Sequence, residues 1–139
     1  MKKPGYSGTP LVKKLGIRDG SRLFLSGAPK NYLELVAPLP ERMLLVPRID
    51  SRTDIVHIFS TRRAGLARAL RATLAKMKED GAIWVSWPKK SSRVPTDITE
   101  DVIRDVALPM GLVDIKVCAV DDVWSGLKLV VRRAARHPR

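Results

Sequence analysis

This sequence is poor in the residues that build covalent and metal-held frameworks. Its 139 residues include a single cysteine, Cys118, and two histidines, His57 and His137. One thiol excludes an internal disulfide and fits a reducing compartment. Two distant histidines without a cysteine pair give no metal spacing. No stretch approaches the roughly 20 apolar residues that a membrane-spanning helix needs. The opening MKKPGYSGTP has two lysines but no apolar run after them, so it does not read as a signal peptide. The expectation is a cytoplasmic domain. Ser-His-Asp order, a Walker loop and a zinc-protease motif are all missing. Acid is also scarce, with 14 Asp and Glu against 26 Lys and Arg and a net charge of +12. Such an excess suits a polyanion partner or a solvated basic surface. The basic residues are spread along the chain, and only the tail from Arg132 to Arg139 looks like a patch.

What is present is a globular balance, with 45% hydrophobic and 29% charged residues. That suits a single α/β domain over 1–139, with an irregular arm at 1–10 and a basic tail at 134–139. Leu11 to Leu15 reads as one short helical turn closed by Gly16. Strands are expected at Arg22–Leu25, Arg42–Val46, Ile55–Phe59, Ala82–Trp87, Val113–Val120 and Gly126–Arg132. The apolar run Ile55–Phe59 suits a strand buried on both faces. A short helix over Asn31–Ala37 follows Pro29, with Asn31 as its cap. Leu66, Leu70, Thr73, Leu74 and Met77 lie at helical spacing and predict a helix over Arg62–Glu79, stopped by Asp80-Gly81. Asp97 and Glu100 have capping-box spacing and predict a helix from there to Leu108. Strands that alternate with helices predict parallel pairing. The fold expected is a Rossmann-like, three-layer open sheet, mostly parallel, ending in an antiparallel hairpin.

The segments Gly81-Ala82-Ile83-Trp84-Val85-Ser86-Trp87-Pro88-Lys89-Lys90 and Trp124-Ser125-Gly126-Leu127-Lys128-Leu129-Val130 resemble a bacterial family of small proteins classed as a domain of unknown function. The likeness takes in most of the chain, including Gly5 to Leu11, and implies no activity and no site residues. A second resemblance, at the level of fold, is to S-adenosylmethionine-dependent methyltransferases, whose first strand also runs into a glycine turn and whose sheet also ends in a hairpin. Their turn holds several glycines, and an acidic residue follows their second strand. Here the turn is Ser26-Gly27-Ala28-Pro29-Lys30, with one glycine, and Pro47-Arg48-Ile49 follows the second strand. The resemblance therefore implies the fold without the cofactor site, and no cofactor is expected.

In such sheets ligands bind beyond the carboxyl ends of the strands. The loops after the first strand and after Ala82–Trp87 would bring Gly27, Lys30, Asn31, Lys89, Lys90, Ser91 and Ser92 to one rim, with Trp87 as an apolar wall. Ammonium, hydroxyl and free N–H groups suit a phosphate or carboxylate. The same residues also read as a solvated loop. Trp124 reads as core packing or a ligand contact, and Gly126 as a turn or bulge. His57 reads as a core or strand-end residue before a catalytic base, and Cys118 as a packing residue. Acidic residues cluster at Asp97, Glu100, Asp101 and Asp105 and at Asp121-Asp122. Capping and the macrodipole explain Asp97, Glu100 and Asp101 and a turn explains the pair, with a general acid/base role open to either group. Three functions stay open. One is a non-enzymatic module holding a small anion or an acidic protein. Another is a methyltransferase-like enzyme with a degenerate cofactor loop. The third is nucleic-acid binding through the arginine-rich helix and tail. No membrane partner is expected.

Overall fold

The computed structural model describes residues 8–135. Its centre is the strand β3, Ile55–Phe59, in which all five residues are buried. Alternation along a strand sends successive side chains to opposite faces. Val56 and Ile58 therefore join one core, and Ile55 and Phe59 the other. Around it stand β1 (Arg22–Ser26), β2 (Leu44–Leu45), β4 (Ala82–Pro88), β5 (Leu112–Ala119) and β6 (Trp124–Val131), in the order β2-β1-β3-β4-β6-β5. The first four in that order pair in parallel, and β6 runs antiparallel to both β4 and β5. This is the expected Rossmann-like sheet with its C-terminal hairpin, and the last strand in sequence is inserted between β4 and β5. No helix among the described residues is long and apolar enough to cross a membrane.

Helices α3 (Arg63–Leu74) and α4 (Glu100–Ala107) supply Leu66, Leu70, Ile103, Val106 and Ala107 to the core on one face. Two four-residue helices, α1 (Leu11–Lys14) and α2 (Tyr32–Leu35), supply Leu11, Val12 and Tyr32 to the core on the other. Leu66 and Leu70 are fully buried. Each is worth roughly 1.5–3 kcal/mol relative to an exposed position.

Four local expectations are corrected. Helix α3 stops at Leu74, not Glu79. Met77 is buried at helical spacing, but the chain turns back over it, and a Cβ on Gly81 would lie 2.2 Å from the Met77 methyl carbon. The core position thus survives while the helix does not. Helix α4 is capped by Thr99, whose Oγ1 accepts from Val102 N at 3.2 Å. Asp97 instead accepts from Arg63 N at 2.6 Å, at the start of α3. A long-range partner has outbid the local capping box. Strand β2 shrinks to two exposed residues, because Arg42 sits at φ +57 and cannot extend the strand backwards. Gly126 lies inside β6, opposite Ser86 and Cys118. A Cβ there would stand 3.3 Å from both Trp84 Cε3 and Val120 Cγ2, so the glycine makes room for the tryptophan. The sheet's irregularity falls elsewhere, between Asp114 and Lys116.

Candidate functional site

The parallel strands β1, β3 and β4 end on one edge, and β6 begins there. Strand order reverses between β1 and β3, so β3 stands between the two loops expected to meet. Neighbouring strands lie about 4.8 Å apart, which separates the ends of β1 and β4 by about 10 Å. Gly27 has φ +68, and a Cβ on it would lie 2.7 Å from the Phe59 carbonyl oxygen. This glycine therefore lets the loop after β1 lie against the end of β3. Lys30 and Asn31 follow it and are exposed. Asn31 occupies the cap position of α2 without a side-chain capping bond, correcting the expected cap.

Lys89 leaves β4 with its backbone N–H donating to Val123 O at 2.7 Å, which ties this loop to the hairpin turn. Lys90–Ser92 form a single 3-10 turn. The Ser92 hydroxyl donates to Lys89 O at 2.7 Å and accepts from Val94 N at 3.2 Å, so it is engaged within its own turn. Lys90 and Ser91 are exposed. Trp87 does not wall the rim: it is 8% exposed and packs in the core beneath α3 and α4. Alternation explains this, since Trp87 shares a face with Ile83 and Val85.

Two carboxylates on this edge accept from backbone amides, while Asp122 beside one of them is exposed. Asp121 Oδ1 accepts from Val123 N and Trp124 N, each at 2.8 Å. Asp97 accepts from Arg63 N. Ion pairs among the described residues include Arg42–Asp19, Lys78–Asp54 and the contacts of Arg104 with Glu100, Asp101 and Asp114. None of them involves Lys30, Lys89 or Lys90.

Beneath the edge lies a buried polar relay that sequence reasoning missed. The Tyr32 hydroxyl and His57 Nδ1 are 2.9 Å apart, and His57 Nε2 and Ser86 Oγ are 2.7 Å apart. His57 stacks on Phe59 at 4.3 Å between centroids, and Phe59 meets Trp124 edge-on at 5.0 Å. Burial pushes the His57 pKa down to about 3 and the Tyr32 pKa well up, so both are neutral. A neutral imidazole donates from one nitrogen and accepts at the other. Both hydroxyls are therefore engaged. Ser86 is fully buried and His57 faces a phenol where a nucleophilic triad has a carboxylate. The relay anchors α2 to the sheet and offers substrate no access. The placement of His57 mid-strand was legible, but its two partners come from 25 and 29 residues away. Burial also pushes the Cys118 thiol up, against the pull of Lys14 and Lys116, which keeps it protonated. Among the described residues no group of three or more His, Cys, Asp or Glu could hold a metal ion.

The fold is that of known methyltransferases. The chain is similar to a SAM-dependent methyltransferase from Aquifex aeolicus, with TM-score 0.57 and 12% identity over 87% of this chain and 88% of that one. It is also similar to the mitomycin 7-O-methyltransferase MmcR, with TM-score 0.57 and 13% identity over 80% of this chain and 49% of that one. No curated protein matches the sequence. The residues present do not fit the cofactor that the fold implies. The one glycine of the first loop is explained by the Phe59 carbonyl. The first acid after β2, Asp50, accepts from Arg52 N in a turn of its own. A model of a family described as a protein of unknown function (DUF3052) matches residues 41–133.

Proposed function

We propose, from the premise that this chain belongs to the DUF3052 family of proteins of unknown function, that it is a non-enzymatic binding module for a small anionic ligand at the carboxyl edge of the sheet. One observation carries this reading. Lys30, Lys89 and Lys90 stand on loops at that edge without an ion-pair partner among the described residues, while Asp97 and Asp121 beside them are committed to backbone amides. Neither carboxylate forms an ion pair with these lysines, and the excess of basic residues over the chain, a net charge of +12, favours an anionic ligand at this edge. A phosphate or carboxylate supplies the matching charge and accepts the N–H donors.

Calorimetry with inorganic pyrophosphate tests the reading on the full chain. Binding is expected, and Lys89→Ala/Lys90→Ala is expected to weaken it by about tenfold or more, the loss typical of charge-assisted hydrogen bonds. Unchanged affinity in the double variant would remove this site. A parallel titration with S-adenosylmethionine is expected to give no heat. Binding there would revive the methyltransferase reading, which otherwise rests on fold alone.

A further inference from the structure

A second concentration of positive charge lies on the hairpin, on the sheet face that carries α1. Lys116 of β5 and Lys128 of β6 are direct cross-strand partners. Like charges placed opposite each other destabilise a sheet. Lys116 is exposed, and its ammonium sits 5.8 Å from the centre of the Trp84 ring. Lys128 is half-buried, and its pKa is lowered by burial and by the charges of Lys116 and Arg18. Each lysine opens onto a cavity of about 560 Å³, one shared with Lys13 of α1 and the other with Arg18. Adjacency therefore runs Lys13, Lys116, Lys128, Arg18 across the face. Asp19, Asp54 and Asp80 also line the Arg18 cavity, together with Lys78; Asp19 and Asp54 are engaged by Arg42 and Lys78. None of these four cations has an ion-pair partner among the described residues.

We propose that this row of Lys13, Lys116, Lys128 and Arg18 binds the phosphodiester backbone of nucleic acid. A row of point charges spanning two adjoining open cavities matches an extended polyanion better than a compact one. The aromatic ring at its centre, Trp84, is fully buried with its Nε1 donating to Leu15 O at 3.0 Å. It offers no base a stacking surface, so recognition is through phosphates and is independent of sequence. The site is distinct from the carboxyl edge.

Fluorescence anisotropy of the full chain with a labelled DNA duplex, between 50 and 200 mM salt, tests this. Four phosphate contacts predict a log–log salt slope of about −3.6, which is a loss of roughly 150-fold over that range. Lys116→Ala/Lys128→Ala is expected to reduce the slope by about 2, while Lys116→Arg/Lys128→Arg preserves it. A melting temperature for the alanine variant equal to or above that of the parent separates lost binding from lost folding, because a repulsive pair has been removed. Arg68→Ala/Arg71→Ala, on α3 across the sheet, is expected to leave the slope unchanged. An unaltered slope in the folded Lys116→Ala/Lys128→Ala protein overturns the proposal, as does the absence of binding at 50 mM salt. Displacement of the duplex by inorganic tripolyphosphate at equal phosphate concentration also overturns it, in favour of a compact anion.

Discussion

The two faces of the sheet solve the same problem by different means. Under α3 and α4 the core is almost wholly aliphatic, built from residues such as Leu66, Leu70, Val85, Ile103 and Leu127, with Trp87. Under α1 and α2 aliphatic residues share the core with Tyr32, Phe59 and Trp84 and with the hydrogen-bonded His57 relay. Helix length explains the difference. Helices of twelve and eight residues present a long apolar stripe to bury. Four-residue helices cannot, and an isolated helix that short has no stability of its own. Beside their buried Leu11, Val12 and Tyr32 they are fastened by directional bonds: Trp84 Nε1 to Leu15 O beside α1, and Tyr32 to His57 in α2.

The contrast can be broken by substitution. Leu70→Ala on the aliphatic face is expected to cost on the order of 2–5 kcal/mol in urea unfolding, through lost burial and a cavity. A cost below about 1 kcal/mol would mean that face repacks and that burial is not what holds it. The aromatic face should be the one that senses pH. His57 is neutral when folded, with a pKa near 3, and takes a proton below about 6.5 when unfolded. The unfolded state therefore binds more protons between those values, and stability rises with pH across them. The contribution is complete above 6.5 and is lost as pH falls towards 3. Unfolding free energies of the parent should climb relative to His57→Gln by up to about 1.4 kcal/mol per pH unit from pH 4.5 to 6; parallel profiles would show that His57 is not protected. The smallest effect expected is that of Tyr32→Phe, about 1–3 kcal/mol, because His57 Nδ1 loses its buried partner. If it matches Leu70→Ala, the two faces are not fastened differently.

Legibility followed the range of the interaction. The apolar runs of β3 and β4, the stripe through Leu66 and Leu70, and the glycine after β1 were visible because each is written within a few residues. Thr99 could have been found as a cap by the same local logic. It was masked by the better-spaced Asp97, whose partner in α3 lies 34 residues away. Trp87 looked available for a ligand until α3 and α4 were placed over it. The lysine row had no local signal at all. Leu112 to Asp114 pair with Val131 to Leu129 in one register, and Lys116 to Ala119 pair with Lys128 to Ser125 in the next. The one-residue shift leaves Ile115 unpaired, and only then does Lys116 face Lys128.

Sequence alone determined the elements, their alternation and hence the parallel sheet, together with the excess of positive charge. These depend on backbone preferences and on burial periodicity, which act over a turn or a strand. Only the tertiary structure decided which carboxylates were consumed by amides, which histidine contacts formed, and which lysines were left facing one another. Those outcomes depend on strand order and register, and pairing energies between distant segments set both.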